Sequence, residues 1–135
     1  MSIPGVTFQF GNIQIVAPKT SGNAAEVRIN PLTGNVRVGL NGQSEEFPVA
    51  QVVNVTYQGG SGGGDTFINA LSVPGVCYGL GGNNNIVGGM SYNFIYLYGN
   101  HNIYSAAGAS NTVFFNGGQN NWVSNPAGSQ LLAYP

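Results

Sequence analysis

Polar and apolar residues recur with a period of nine in the second half of the chain. Residues 79–123 divide into five consecutive units, GLGGNNNIV, GGMSYNFIY, LYGNHNIYS, AAGASNTVF and FNGGQNNWV. The sixth position of every unit is asparagine: Asn84, Asn93, Asn102, Asn111 and Asn120. The eighth position is large and apolar or aromatic: Ile86, Ile95, Tyr104, Val113 and Trp122. A fixed short period indicates a solenoid, because each unit can bury its apolar side chain only against neighbouring units.

Each unit has room for a turn followed by a short strand. Side chains alternate along a strand, so the eighth position is predicted to face the core. Two units facing each other would form one coil, which places asparagines at the same height in successive coils. Such asparagines can pair amide to amide, and we predict a ladder of this kind along the stack. The alternative is that they only serve the left-handed backbone geometry of turns.

The seventh and ninth positions are predicted to face outwards. On one side of the solenoid they form a candidate interface, Phe94, Tyr96, Thr112 and Phe114. On the opposite side they are Asn85, Val87, Ile103, Ser105, Asn121 and Val123. A contiguous apolar patch usually marks a contact surface. Either a second copy packs on the candidate interface, or the N-terminal strands or residues 127–135 fold over it.

Residues 5–57 alternate with a period of two, which predicts strands rather than helices. Asn30–Asn35 and Asn41–Gly42 are typical of turns between strands. The length of 135 residues suits one domain. We predict a strand-rich N-terminal cap over residues 1–58, the repeat solenoid over 59–125 and a C-terminal tail over 126–135.

The units resemble the calcium-binding nonapeptide of repeats-in-toxin proteins, G-G-x-G-x-D-x-U-x. Residues 60–68, GSGGGDTFI, match best, with Asp65 at the sixth position and Phe67 at the eighth. The next nine residues keep Val76 at the eighth position but place Pro74 at the sixth. The resemblance covers roughly residues 59 to 125, and it implies an all-β fold, a right-handed parallel β-solenoid.

The sequence departs from that family at the calcium ligands. In the family, aspartates of successive coils hold calcium between them through hard oxygen ligands. The five strict units carry asparagine instead, and a neutral amide is a poor substitute for a charged ligand. We therefore expect a solenoid that folds without any cofactor, calcium included. Asp65 is a weak candidate for a metal ligand.

Charged residues are unusually scarce. They make up 5% of the chain, and residues 66–135 contain no Asp, Glu, Lys or Arg. Soluble monomers normally use charge to stay dispersed, so this surface favours packing against further copies or against a matrix such as a polysaccharide. No basic stripe exists to neutralise phosphates, which argues against nucleic acid as a partner.

Residues suited to catalysis are few. Cys77 is the only cysteine, and we interpret it as a small buried hydrophobe rather than a reactive thiol. His101 is the only histidine and falls at a turn position, without an acid or second histidine in its unit. Glu45 and Glu46 are adjacent and so point to opposite faces of a strand. We predict that the protein is not an enzyme. No apolar run approaches the roughly 18 residues of a membrane helix.

The sequence favours a structural role. We expect a non-enzymatic solenoid that self-assembles or forms part of an extracellular or cell-surface fibre, sheath or adhesin, although the chain shows no signal peptide. One alternative is a module that binds carbohydrate or ice through a flat face rich in Asn, Thr and Tyr. The other is a calcium-dependent β-roll anchored at Asp65.

Overall fold

The computed structural model describes residues 3–105, 110–124 and 129–134. Within these ranges the chain forms two seven-stranded sheets. The first sheet contains, in spatial order, β1 (Val6–Gln9), β2 (Asn12–Val16), β6 (Asn54–Gln58), β8 (Gly75–Gly79), β10 (Tyr92–Tyr98), β12 (Ser110–Asn116) and β14 (Ser129–Tyr134). The second contains, in spatial order, β5 (Gln43–Phe47), β4 (Val36–Leu40), β3 (Ala24–Ile29), β7 (Thr66–Asn69), β9 (Asn85–Val87), β11 (Ile103–Ser105) and β13 (Trp122–Ser124).

Consecutive strands from β6 to β14 alternate between the two sheets, and neighbours within each sheet run parallel. Asn93 of β10 is paired in register with Asn111 of β12. Ile86 of β9 is paired in the same way with Tyr104 of β11. The molecule is thus an all-β parallel solenoid of about four turns, which confirms the predicted fold class.

The parallel pairing extends beyond residues 59–125 at both ends. In the predicted cap, β2 pairs parallel with β6, and β3 pairs parallel with β7. In the predicted tail, β14 pairs parallel with β12. The antiparallel strands are β1, which flanks β2, and the hairpin β4–β5, which flanks β3. These three strands therefore close the N-terminal end of the stack.

Inward side chains of both sheets form one apolar core. The largest fully buried side chains in the described ranges are Tyr57 and Tyr104. The ring of Tyr57 stacks on that of Phe67 with 4.5 Å between the centroids. The predicted core residues Ile86, Ile95, Tyr104 and Val113 are at most 2% exposed. Cys77 is also buried, and it pairs with Ile95.

The predicted inward orientation is wrong at two eighth positions, Trp122 and Val76. Trp122 is 65% exposed, and Val123 is the residue of β13 that pairs with Tyr104. Val76 faces outwards beside Phe94, whereas its neighbour Cys77 faces the core. In both places the turn before the strand has one residue more than the strict period. Because strand side chains alternate, a shift of one residue exchanges inside and outside.

The inward position of Ile95 gives a test of the fold. Ile95→Asp would bury an unpaired carboxylate and should lower the free energy of unfolding by about 3–5 kcal/mol. Ile103→Asp is the matched control, since Ile103 is 46% exposed on the next strand, β11. Urea denaturation of both variants checks the difference. Equal destabilisation by the two substitutions would contradict the inward and outward assignment.

Candidate functional site

Buried polar side chains form a ladder along one corner of the solenoid. We call Asn23, Asp65, Asn84, Asn102 and Asn121 the first ladder. Asn84 Nδ2 donates to Asn102 Oδ1 at 2.9 Å, and Asn102 Nδ2 donates to Asn121 Oδ1 at 2.9 Å. The backbone N–H groups of Asn84 and Asn102 donate to the same two oxygens, at 3.1 and 2.9 Å. The amide oxygens of Asn102 and Asn121 thus each accept two hydrogen bonds from the coil before them.

The last asparagine of the first ladder differs from the prediction. Asn121 accepts the bonds from Asn102, whereas Asn120 is exposed. Asn120 has a φ of 60°, and the residues before Asn84 and Asn102, which are Asn83 and His101, have φ values of 55° and 60°. Asn120 therefore has the turn role of those residues, because the left-handed conformation tolerates asparagine. The same geometry accounts for His101 as an exposed turn residue.

A second ladder runs along the other corner and consists of Asn93 and Asn111. Asn93 Nδ2 donates to Asn111 Oδ1 at 3.0 Å. The same oxygen accepts a hydrogen bond of 2.6 Å from the hydroxyl of Tyr104, which comes from the opposite sheet. A Cβ atom on Gly88 would collide with that hydroxyl, so the position requires glycine. The tyrosine thereby links the second sheet to the corner of the first.

Asp65 is the one carboxylate within the ladders, and its side chain is buried. Oδ1 accepts hydrogen bonds from the backbone N–H and the Nδ2 of Asn23, at 2.7 and 3.0 Å. Oδ2 accepts from the backbone N–H of Gly60 at 2.6 Å and from the hydroxyl of Tyr57 at 3.3 Å. Four protein donors therefore surround the oxygens that a calcium ion would need.

No group of three or more His, Cys, Asp and Glu residues that could hold a metal ion occurs among the described residues. Asn23 was not predicted as a ladder residue, although it forms the first rung. It lies 42 residues before Asp65 because the hairpin β4–β5 intervenes. Asn23 lies outside the nonapeptide units. Like most other residues of the first ladder it is followed two positions later by a buried residue, Ala25, but this short pattern alone does not identify it in the sequence.

The buried thiol of Cys77 and the buried hydroxyls of Tyr57 and Tyr104 have raised pKa values. Burial raises the pKa of the Cys77 thiol, and Asp65 raises it further. Burial likewise raises the pKa values of the Tyr57 and Tyr104 hydroxyls well above the usual range. All three groups therefore stay protonated, and a protonated thiol is a weak nucleophile.

The candidate interface lies on the outer surface of the first sheet. We call six central outward residues of β8, β10 and β12 the aromatic face: Val76, Tyr78, Phe94, Tyr96, Thr112 and Phe114. The ring of Tyr96 stacks between those of Tyr78 and Phe114, with centroid distances of 4.8 and 4.6 Å. The interplanar angles are 12° and 8°, so the three rings form a nearly parallel column. Phe94 beside this column is 43% exposed.

The strands of the first sheet carry no charged side chain. The seven described segments contain no Asp, Glu, Lys or Arg. Five of the seven charged residues of the chain lie instead on β3, β4 and β5 of the second sheet: Glu26, Arg28, Arg37, Glu45 and Glu46. The two sheets therefore differ sharply in charge. Within the described ranges, no helix has the length and apolar character needed to cross a membrane.

No protein-family model, curated protein or solved structure matches this chain. The resemblance of residues 60–68 to the calcium-binding nonapeptide therefore rests on the short sequence pattern alone.

The first ladder gives a stability prediction. Asn102→Ala removes the acceptor of two buried N–H donors of Asn84, and each orphaned donor costs about 1–3 kcal/mol. We expect the free energy of unfolding to fall by about 2–6 kcal/mol. Asn85→Ala is the matched control, because the exposed Asn85 side chain has no hydrogen bond to the described residues. Chemical denaturation checks both, and a similar loss in the two variants would contradict the ladder.

The surroundings of Asp65 give a prediction about calcium. Its oxygens already accept four hydrogen bonds, and the other rungs of the first ladder are neutral amides. We expect the thermal unfolding midpoint to be the same in excess chelator and in millimolar calcium chloride. Circular dichroism melts provide the measurement, with magnesium chloride as the control for ionic strength. A midpoint raised by calcium and not by magnesium would contradict the prediction.

Proposed function

We propose that the protein is a non-enzymatic structural module that self-associates through the outer surface of its first sheet, as part of an extracellular or cell-surface fibre, sheath or adhesin. The absence of charge from all seven strands of that sheet carries the proposal. Two copies can bring these surfaces together without removing a charge from water, a step that normally costs several kcal/mol per ion.

The aromatic face supports packing of sheet on sheet. Its column of rings is stacked face to face along the solenoid axis, so the ring edges point outwards. Outward side chains of two sheets can interdigitate at the roughly 10 Å spacing of packed sheets. A sugar ring stacks on an exposed ring face rather than an edge. The column therefore favours self-packing over the carbohydrate alternative at this surface.

The size of the surface indicates how strong this association would be. Seven strands at a spacing of about 4.8 Å, each about 17 Å long, cover roughly 500–600 Å² per copy. A face-to-face pair would bury roughly 1,100 Å² in total, at the lower limit of specific interfaces. We therefore expect weak association that depends on concentration. A two-fold pair uses the same surface on both copies, so any substitution acts twice.

Lysine at position 94 tests the proposal. Phe94→Lys should weaken self-association about tenfold or more, because a two-fold pair would then bury two like charges. Ile103→Lys is the control: Ile103 is 46% exposed, against 43% for Phe94, but lies on the second sheet. Sedimentation velocity over a range of concentrations measures the association of wild type and both variants.

We expect the sedimentation coefficients of the wild type and of Ile103→Lys to rise with concentration. The sedimentation coefficient of Phe94→Lys should stay at the value of a monomer over the same range. Circular dichroism confirms that both variants are folded. A wild-type protein that remains monomeric at millimolar concentration contradicts self-association altogether. An equal effect of the two lysines contradicts the assignment of the interface to the first sheet.

A further inference from the structure

The outer surface of the second sheet contains a cleft with a volume of about 250 Å³. It lies over β3, β4 and β5. We call its polar lining and floor the arginine cleft: Glu26, Arg28, Arg37, Gly39, Gln43 and Ser44. Gly39 lies in register between Glu26 and Ser44, and its missing side chain leaves the depression. The cleft is on the opposite sheet from the aromatic face, so it is independent of the proposed self-association.

Two like charges face each other in the cleft. Arg28 and Arg37 are directly paired across β3 and β4, an arrangement that is unfavourable in a sheet. Glu26 Oε1 contacts Arg28 Nε at 2.8 Å, while Arg37 forms no ion pair with the described residues. The lining therefore has two positive charges and one negative charge. A ligand with a single negative charge, bound between the arginines, would bring the net charge of the lining to zero.

Glu46 lies opposite Arg37 on β5 but does not fill this role. Its Oε2 accepts a hydrogen bond of 2.6 Å from Asn30 Nδ2, and its Oε1 accepts one of 2.8 Å from the Thr33 hydroxyl. These bonds, that of Asn30 foremost, lower the pKa of Glu46. They also hold its carboxylate towards the turn between β3 and β4. The positive charge of Arg37 contributes the smallest part of that lowering, but its guanidinium forms no hydrogen bond or ion pair with Glu46, so its N–H groups are available to a ligand.

We infer that the arginine cleft binds an acidic sugar, a uronic acid with one carboxylate, either free or as a unit of a polysaccharide. The planar guanidinium of Arg37 matches a carboxylate with two parallel hydrogen bonds. The hydroxyl of Ser44 and the second oxygen of Glu26 supply a donor and acceptors for sugar hydroxyls.

The lining also distinguishes this ligand from other anions. Glu26 repels a polyanion such as a nucleic acid or a strongly acidic peptide, but accepts hydrogen bonds from hydroxyls. The volume of about 250 Å³ lies below that of pockets for drug-sized ligands, about 300–1,000 Å³, which suits one sugar ring. Both arguments favour a hydroxylated monoanion.

Titration of galacturonate into the full chain, followed by NMR chemical shifts, tests the inference. Arg37→Gln should weaken binding about tenfold or more, since a hydrogen bond between charged groups is lost. Lys19→Gln is the control, because it removes the same charge outside the cleft and should leave the affinity unchanged. Gly39→Val keeps both arginines but fills the depression, and it should abolish binding.

The Gly39 variant is expected to fold, because a Cβ atom there would have its nearest contact at 3.8 Å, an ordinary distance. Thermal melts check all three variants. Galactose, which lacks the carboxylate, and acetate, which lacks the hydroxyls, should bind much more weakly than galacturonate. Trigalacturonate separates the two sources: tighter binding than the monomer indicates a polysaccharide unit, and equal binding indicates the free sugar.

Three results would overturn the inference. The first is the absence of galacturonate-induced shifts in the wild type. The second is an unchanged affinity in folded Arg37→Gln or Gly39→Val. The third is equal affinity for acetate and galacturonate, since the hydroxyl contacts would then contribute nothing.

Discussion

The hydrogen bonds of buried amides at the coil corners determine most of this structure. At a corner the chain passes from one sheet to the other. Its N–H groups there point along the solenoid axis and have no neighbouring strand to pair with. An unpaired buried N–H is costly, so each corner needs an acceptor at a fixed place. The oxygen of a ladder residue is that acceptor, as Asn102 is for Asn84. Two residues later the chain is back in a strand, and the side chain there faces the core.

The core itself depends on polar groups that reach the corners. Tyr57 crosses from the first sheet to the carboxylate of Asp65, and Tyr104 crosses from the second sheet to Asn111. Each buried hydroxyl needs a partner, and each corner oxygen has spare acceptor capacity. The two tyrosines therefore fix the height of one sheet relative to the other. An apolar residue of similar size would fill the space without setting that height.

The sequence predicts the fold well because the period is short and local. Ile86, Ile95, Tyr104 and Val113 follow from counting alone, since their units have no extra residue. Counting fails at Asn120 and Trp122, because a turn with one more residue leaves two adjacent asparagines, and only the hydrogen bonds decide which one is in the ladder. It fails in the same way at Val76 and Cys77.

Features that depend on distant pairing could not be predicted from the period. The hairpin β4–β5 separates Asn23 from Asp65, so the first rung has no unit around it. The arginine cleft arises because the turn after β3 sets Arg28 opposite Arg37 and leaves Gly39 between longer side chains. Neither relation is visible until the register of the antiparallel strands is known.

The direction of the ladder bonds has a consequence for the molecule as a whole. In both ladders the donor belongs to the earlier coil and the acceptor to the later one, as for Asn84 with Asn102 and for Asn93 with Asn111. The amide dipoles are thus aligned, and aligned hydrogen bonds polarise and strengthen one another. The solenoid is therefore a polar rod whose two ends are electrostatically different. At the N-terminal end the first ladder is already capped, because Asn41 Nδ2 donates to Asn23 Oδ1, so a second copy cannot extend it there. Pairing through the aromatic face, in contrast, is compatible with either relative direction of the two rods.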